Sequence, residues 1–427
     1  MNIITLIEKK KNKEALTEKE IEYIIQGYMK NKITDYQMSA FLMAVCLKGM
    51  TKKETIYLTA SMLNSGKILD LKQIPGIKVD KHSTGGIGDK TTLIITPLVA
   101  ACGVVVPKIS GRGLGYTGGT IDKLEAIKGI NVNLKEESFL KQLKEIKVGI
   151  TSTTKDLAPA DSKIYALRDV TATVASIPLI ATSIMSKKLA VNSDKIVLDV
   201  KVGSGTFIKT KEEALTLAKL MIEIGNSFQK EIVAVISNMD TPLGSNIGNS
   251  LEVMEVLEIL EGKKKNNLTK LALTLASYMV SLGKEITYDE AKEEVKEALV
   301  TKKALKKFKE MIHYQLGDLK ELPLAKIKTE IKSKEEGYLN QIKALIIGEE
   351  VMNLGAGRKT KEDKIDYGVG LILKKELGDY VKKGDVLTEV YSNNSLINKE
   401  RLEEAFLIEK EKKEIKPLII EVIKNNS

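Results

Sequence analysis

The sequence predicts an α/β protein with a small discontinuous all-α lobe, a larger α/β lobe on a mainly parallel sheet, and a C-terminal α+β domain. Three features carry that expectation. Helical signals fill residues 1–66, glycine-punctuated strands alternate with helices from about residue 72, and short strands with Gly-Asp and Lys-Gly-Asp turns dominate the last hundred or so residues. At 427 residues, the chain is also long enough for two or three domains.

Each element has a local reason. Capping boxes at Thr17/Glu20, Thr34/Gln37 and Thr51/Glu54 mark helix starts in residues 1–66. Between them "YQMSAFLMAVCL" is apolar almost all round, which predicts burial or a subunit contact. In 72–330, "IPGIKVDKHSTGG" reads as a strand running into a glycine loop. "TTLIITPLVAACGVVVPKISG" reads as a helix, then a strand ending in a second glycine loop. "VGITST", "KIVLDVKVGSG" and "EIVAVISNM" continue the strands, with "KEEALTLAKLMIEIGNSF" as a helix between the last two. Parallel sheets built this way place ligand loops at the carboxyl ends of their strands. "DSKIYALRDVTATVASIPLIATSIMSKKLA" interrupts the pattern with two helical segments, so about 160–190 is expected to complete the N-terminal helical lobe. Thr287/Glu290 caps a single long helix over 288–312. Residues 331–427 are expected to form the C-terminal domain, with "KPLIIEVI" as one of its strands. No repeat of solenoid length occurs.

Composition narrows the class. The net charge of +10 is lysine spread along the chain beside glutamate, aromatics are 4% and tryptophan is absent. Nucleic-acid binders cluster their basic residues and interleave aromatics, so no nucleic-acid partner is expected. No apolar run is long enough for a membrane span, and the first residues lack a signal peptide's apolar region. Cys46 and Cys102 read as reduced, buried thiols of a cytoplasmic protein.

The chemistry concentrates in two loops. "KHSTGGIGDKTT" resembles a nucleotide P-loop but places Asp89 where glycine must precede the lysine, and that carboxylate opposes a triphosphate. "KISGRGLGYTGGTIDKLE" contains G-x-G-x-x-G, which makes an NAD-dependent dehydrogenase a competing reading. Yet the region where the ribose-binding acid should end a second strand reads "LKEESFLKQL", a helix. Both loops combine lysine, hydroxyls and glycine, including Arg112 and Thr117 in the second. Glycines let backbone N–H groups turn inward around a small oxyanion, hydroxyls add short donors and lysine adds charge. Lys81, Ser83, Thr92, Lys108, Ser110 and Thr120 are therefore the candidate shell for inorganic phosphate. Tyr165 and Arg168 lie three apart, and Ser183 and Lys187 four apart, so each pair shares a helix face. Arg168 needs a partner, either a salt bridge to Asp161 or Asp169, or a ligand. His82, between Lys81 and Ser83, is the histidine placed for function. His313, at a helix end, is not.

Together "KHSTGGIGD", "SGRGLGYTGGTIDKLE", "YALRDVTATVASIPLIATSIMSKKLA", "DVKVGSGTF" and "LGAGRKTKEDKIDYGVG" resemble the pyrimidine-nucleoside and thymidine phosphorylases over nearly the whole chain. The resemblance implies a homodimer with its active site in the cleft between two lobes. It implies phosphorolysis of uridine, thymidine and deoxyuridine, with phosphate as co-substrate and no organic cofactor. It assigns the six residues above to phosphate and Arg168, Ser183 and Lys187 to the base, with Tyr165 lining the same wall. His82 would lie over the sugar and base and, when protonated, act as a general acid. Some members bind a potassium ion, at positions matching Gly88, Lys90, Leu243, Asn246 and Glu255. Lys90 and Asn246 stand where the family has threonine and alanine, and Tyr116 where it has histidine. Members restricted to thymidine carry methionine before "ISGRG", whereas broader ones carry lysine, as Lys108 does here. The closest enzyme alternative is a phosphoribosyltransferase of the same fold, the anthranilate type, which needs a diphosphate site with metal-binding acids.

Overall fold

The computed structural model describes residues 1–424 apart from 114, 117, 361, 395 and 396. Helices α1 (Ile3–Lys11), α2 (Glu18–Met29), α3 (Asp35–Lys48) and α4 (Lys52–Leu63) open the chain. The predicted capping residues start three of them. Thr17 N donates to Glu20 Oε2 at 2.7 Å, Thr51 N to Glu54 Oε2 at 2.7 Å, and Thr34 N to Gln37 Oε1 at 3.1 Å. Glu54 has a second use. Its buried carboxylate accepts from Lys10 Nζ at 2.7 Å and Leu16 N at 2.9 Å, which pins α1 and the following link onto α4.

Then come β1 (Val79–Ser83), α5 (Thr91–Ala101), β2 (Val106–Ser110), α6 (Thr120–Glu125), α7 (Glu136–Ile146) and β3 (Val148–Ser152). Next are α8 (Pro159–Asp169), α9 (Ile177–Val191), β4 (Lys195–Val202), α10 (Lys211–Ser227) and β5 (Glu231–Asn238). Strands β1, β4 and β5 are parallel neighbours, with Lys81 opposite Val197 and Val197 opposite Val233. Strands β2 and β3 form a second parallel pair, joined to the first by a bridge between Lys78 and Val105. Ala160 and Ile164 of α8 and Leu179 of α9 share one core with α1–α4, so that core draws on two stretches of sequence. The far end of α9 belongs elsewhere: Met185, Leu189 and Val191 pack with Leu198 of β4 and Leu217 of α10. One helix thus presents side chains to both lobes.

Strand β6 (Asn246–Ile247) and helices α11 (Asn249–Leu260), α12 (Asn267–Lys284), α13 (Tyr288–Val300) and α14 (Lys303–Tyr314) follow. The single helix expected over 288–312 is two. Lys302, at φ 59° in the left-handed region, turns the chain between them. The turn lets Ala291, Val295 and Ala298 face one part of the core while Leu305, Phe308, Met311 and Ile312 pack elsewhere in it.

The remaining elements are β7 (Ile327–Lys332), β8 (Gly337–Ile342), α15 (Ala344–Val351), β9 (Gly370–Leu373), β10 (Tyr380–Val381), β11 (Val386–Ser392), α16 (Lys399–Glu403), β12 (Phe406–Glu409) and β13 (Ile419–Lys424). They form two small sheets, β6-β9-β11-β7 and β10-β8-β12. The expected C-terminal boundary needs correction. "KPLIIEVI" supplies β13, which pairs antiparallel with β5 of the α/β lobe, Val422 opposite Val235. Without it β5 would be an open edge with unpaired N–H and C=O groups. In exchange, β6 leaves the α/β lobe to pair with β9.

Candidate active site

Strand β1 alternates its side chains between two environments. Asp80 and His82 face the side where Lys108 and Lys188 gather. Lys188 Nζ donates to Asp80 Oδ2 at 2.6 Å, and Lys108 Nζ lies 3.7 Å from Asp80 Oδ1 and donates to the Lys81 carbonyl. Lys81 and Ser83 face the other side. Lys81 Nζ donates to Thr91 Oγ1 at 2.7 Å and lies 3.6 Å from Asp199. Ser83 Oγ donates to Asp89, which also accepts from Thr91 N at 3.1 Å at the start of α5. Burial would raise the Asp89 carboxyl, but Lys201, then Lys81, with the bonds from Ser83 and Thr91, hold it well below the usual carboxylate range. Asp89 therefore organises the first loop as a permanently charged, neutralised anchor.

The second loop closes on itself. A Cβ at Gly119 would collide with the backbone nitrogen of Gly113, so only glycine permits that approach. Asp122, in α6, accepts from Gly113 N at 2.6 Å, Gly119 N at 3.1 Å and Arg358 Nη1 at 2.7 Å. Arg358, in "LGAGRKTKEDKIDYGVG", thereby ties the C-terminal domain to this loop, and its carbonyl accepts from Gly115 N at 2.8 Å. Thr117 lies outside the described residues.

The helical wall carries the remaining candidates. Arg168 forms neither of the salt bridges open to it on sequence grounds. Its Nε donates to the Thr173 carbonyl at 3.1 Å, Nη1 to Leu179 at 3.1 Å and Nη2 to Val174 at 2.8 Å. A guanidinium has five N–H donors, so two remain for a ligand. Asp161 pairs instead with Lys187, whose Nζ also donates to Ser183 Oγ at 3.0 Å. The Tyr165 ring lies 5.8 Å from the Arg168 guanidinium carbon and 5.9 Å from Lys187 Nζ.

These groups meet around one cavity of about 400 Å³, lined by His82, Ser83, Thr92, Lys108, Ser110, Thr120, Tyr165, Arg168, Ser183 and Lys187. Lys81 does not line it. It is fully buried beneath the loop, where it supports Thr91 and balances Asp199. Sequence reasoning missed Lys188, which does line the cavity. The only signal was the doubled lysine in "SKKLA", and the α9 register turns both toward the site. Among the described residues, five cationic side chains line the cavity (Lys108, Arg112, Arg168, Lys187 and Lys188), and Asp89 is the one carboxylate in the lining. Asp80, Asp161 and Glu125 behind the wall partly balance Lys188, Lys187 and Arg112. The lining still presents cations to the cavity, which suits an anion.

That field also sets two proton equilibria. Burial, then Lys188, Lys108, Lys187 and Lys81, push His82 well below its ordinary value, so the bare cleft holds it neutral. Burial and Lys188 push Lys108 down to about 7, against the pull of Asp80.

The residues that match the family's potassium set do converge. A Cβ on Gly88 would meet the Leu243 carbonyl at 2.7 Å, and Leu243 N donates to the Ile87 carbonyl at 3.0 Å. The charge between them is not left to an ion. Lys90 Nζ donates to the Asn246 carbonyl at 2.6 Å and to Glu255 Oε2 at 2.7 Å, with both side chains fully buried. The donor set therefore does not fit potassium, because an ammonium already uses its oxygens.

The helical bundle and the mixed sheet that flank this cleft are both those of a glycosyl transferase family. Residues 4–66 match the helical bundle domain of a glycosyl transferase family, and 76–305 match that family's a/b domain. Residues 338–407 match the pyrimidine nucleoside phosphorylase C-terminal domain. The chain is 50% identical over 405 residues to a pyrimidine-nucleoside phosphorylase of Staphylococcus epidermidis, covering 93% of this chain and 94% of that one. It is 49% identical, with the same coverage, to that of Geobacillus stearothermophilus, and 50% identical to that of Bacillus subtilis. The chain belongs to the pyrimidine-nucleoside phosphorylase family. A solved anthranilate phosphoribosyltransferase from Thermus thermophilus superposes with a TM-score of 0.60 at 17% identity, over 73% of this chain and 99% of its own, a likeness of fold alone. Among the described residues, no helix is long and apolar enough to cross a membrane.

Proposed function

We propose that this enzyme cleaves pyrimidine nucleosides with inorganic phosphate, giving free base and (deoxy)ribose 1-phosphate. The observation that carries this reading is the single cavity joining a hydroxyl-and-lysine shell to a base-sized wall of Arg168, Ser183 and Lys187, with His82 at the junction. Phosphate sits among Ser83, Thr92, Lys108, Ser110 and Thr120, with Lys81 supporting from below. Its oxygen attacks the sugar carbon as the bond to N1 breaks, and the bonding pair leaves with the base. Charge builds on the base carbonyls, where Lys187 and the two free N–H groups of Arg168 receive it. Bound phosphate offsets the cations that hold His82 neutral, so His82 gains a proton it can deliver to the 2-carbonyl.

Lys108 favours breadth, because it adds a donor and charge at the phosphate–sugar side and so reduces dependence on the sugar's own contacts. Uridine, deoxyuridine and thymidine are substrates. Cytidine is poor, because its 4-amino group presents a donor where an acceptor is needed. The test is release of free base from these four nucleosides with and without phosphate. Phosphate-independent turnover, or none on any pyrimidine nucleoside, overturns the reading. Thymidine turnover with negligible uridine turnover overturns only the breadth.

The enzyme works as a homodimer in the cytoplasm. Helix α3 buries Met38, Phe41 and Val45, yet leaves Tyr36 74% and Leu47 73% exposed on one opposite stripe with Met43. Ile4 of neighbouring α1 is also exposed. A second copy would cover that stripe. Leu47→Glu should convert a dimer into a monomer by light scattering, and an unchanged mass would exclude this face. Cys46 and Cys102 are free, as suits a reducing compartment, and burial pushes the Cys102 thiol up to about 12, which leaves it unreactive.

A further inference from the structure

Lys90 precedes α5, directly after the glycines of the first loop, and its ammonium is fully enclosed. It reaches across to β6 and α11, far away in sequence, to hold the Asn246 carbonyl and the Glu255 carboxylate. The other Glu255 oxygen accepts from Ser245 N at 2.9 Å and Asn266 Nδ2 at 2.9 Å, and Lys264 Nζ lies 3.2 Å away. The Gly88 carbonyl accepts from the backbone N–H of Lys90 itself at 2.9 Å. Of the four oxygen sources at Gly88, Leu243, Asn246 and Glu255, three are therefore already bonded by Lys90.

A buried carboxylate with converging carbonyls demands a cation. A free metal ion could meet that demand, but so can an ammonium of the same single charge. Lys264, which is partly exposed, shares the carboxylate only at the other oxygen. On the enclosed Oε2 side, an ammonium and a metal ion cannot both be accommodated, because like charges that close repel strongly in the low-dielectric interior. We propose that the Lys90 ammonium is a tethered replacement for a dissolved monovalent metal ion, making the order of the first phosphate loop independent of potassium. The link is mechanical as well as electrostatic. Asp89, next in the chain, accepts from Thr91 N at the start of α5 and from Ser83 Oγ, so fixing Lys90 onto α11 also fixes the residues that face phosphate.

The test needs no substrate, so it succeeds or fails separately from the proposed reaction. Thermal unfolding of the full chain is followed in potassium chloride, sodium chloride and tetramethylammonium chloride at equal ionic strength. The wild type should melt at the same temperature in all three. Crystals soaked in thallium(I) should show no anomalous peak beside Glu255. Lys90→Thr removes the ammonium and leaves a short hydroxyl. It should melt lower in tetramethylammonium, regain stability in potassium and bind thallium at Glu255. Selective potassium stabilisation of the wild type, or a thallium peak there, overturns the proposal even if the variant does not fold. A folded Lys90→Thr protein that is indifferent to potassium overturns it too.

Discussion

Among single residues, Lys108 and Arg168 make the proposed chemistry most directly testable. With Lys108 pushed down to about 7, its charge in the empty site is present below that pH and lost above it. Phosphate titrates in the same range, so the informative quantity is the ratio of phosphate affinities of wild type and Lys108→Met. Calorimetry should find that ratio about tenfold or more below pH 6.5, from a lost charge-assisted bond of roughly 1.5–3 kcal/mol, and shrinking above pH 8. A ratio flat with pH would place Lys108 outside the phosphate shell. Arg168 does two jobs, since it holds the 173–179 turn by three carbonyls and offers two N–H groups to the base. Arg168→Ala should lower turnover at least tenfold while phosphate still binds, with a loss of stability of about 1–3 kcal/mol from the stranded carbonyls. Unchanged phosphorolysis in steady-state assays would remove Arg168 from the base site. Most of the polar side chains lining the cavity were legible in the sequence because hydroxyls and lysines at glycine turns form a local pattern. Lys188 and the buried role of Lys81 were not, because strand alternation and a helix register decide which side of a wall a lysine occupies.

At the scale of elements, the second glycine loop depends on a partner far away in sequence. Arg358 completes the set of donors on Asp122, and Asp122 holds both ends of the loop through Gly113 and Gly119. Arg358→Met should leave the loop's local turn intact but loosen it. We expect hydrogen exchange of Gly113 and Gly119, whose N–H groups Asp122 holds, to accelerate and phosphate affinity to fall severalfold, in line with loss of one ionic hydrogen bond. Exchange and affinity identical to wild type would show that the loop orders itself. Helix starts at residues 17, 34, 51 and 287 were readable because a capping box is a contact within four residues. The break at Lys302 was not. "LVTKKALKK" contains no glycine or proline, and the left-handed turn is imposed by two helices each burying its own apolar face.

Over the whole molecule, the cavity walls come from two packing units, the sheet-borne loops and the helices α8 and α9. Shared binding between units predicts closure on ligand. Small-angle scattering with phosphate plus a non-cleavable nucleoside should show compaction relative to the unliganded enzyme, and an unchanged radius of gyration would mean the site is rigid. The three-part architecture was visible in composition and periodicity, but the crossing of β6 and β13 between parts was not, since the strand partners lie more than a hundred residues apart and nothing local announces them. That crossing has a consequence for anyone reshaping this protein. The segment between α14 and β13 is an insertion grafted at both ends, rather than a module hung from one. Trimming the chain after α14 would not yield a smaller phosphorylase core, because it would strip the outer strand from the main sheet and leave β5 as a bare, aggregation-prone edge. A functional minimal version would have to keep residues 419–424 and bridge back to them by a new linker.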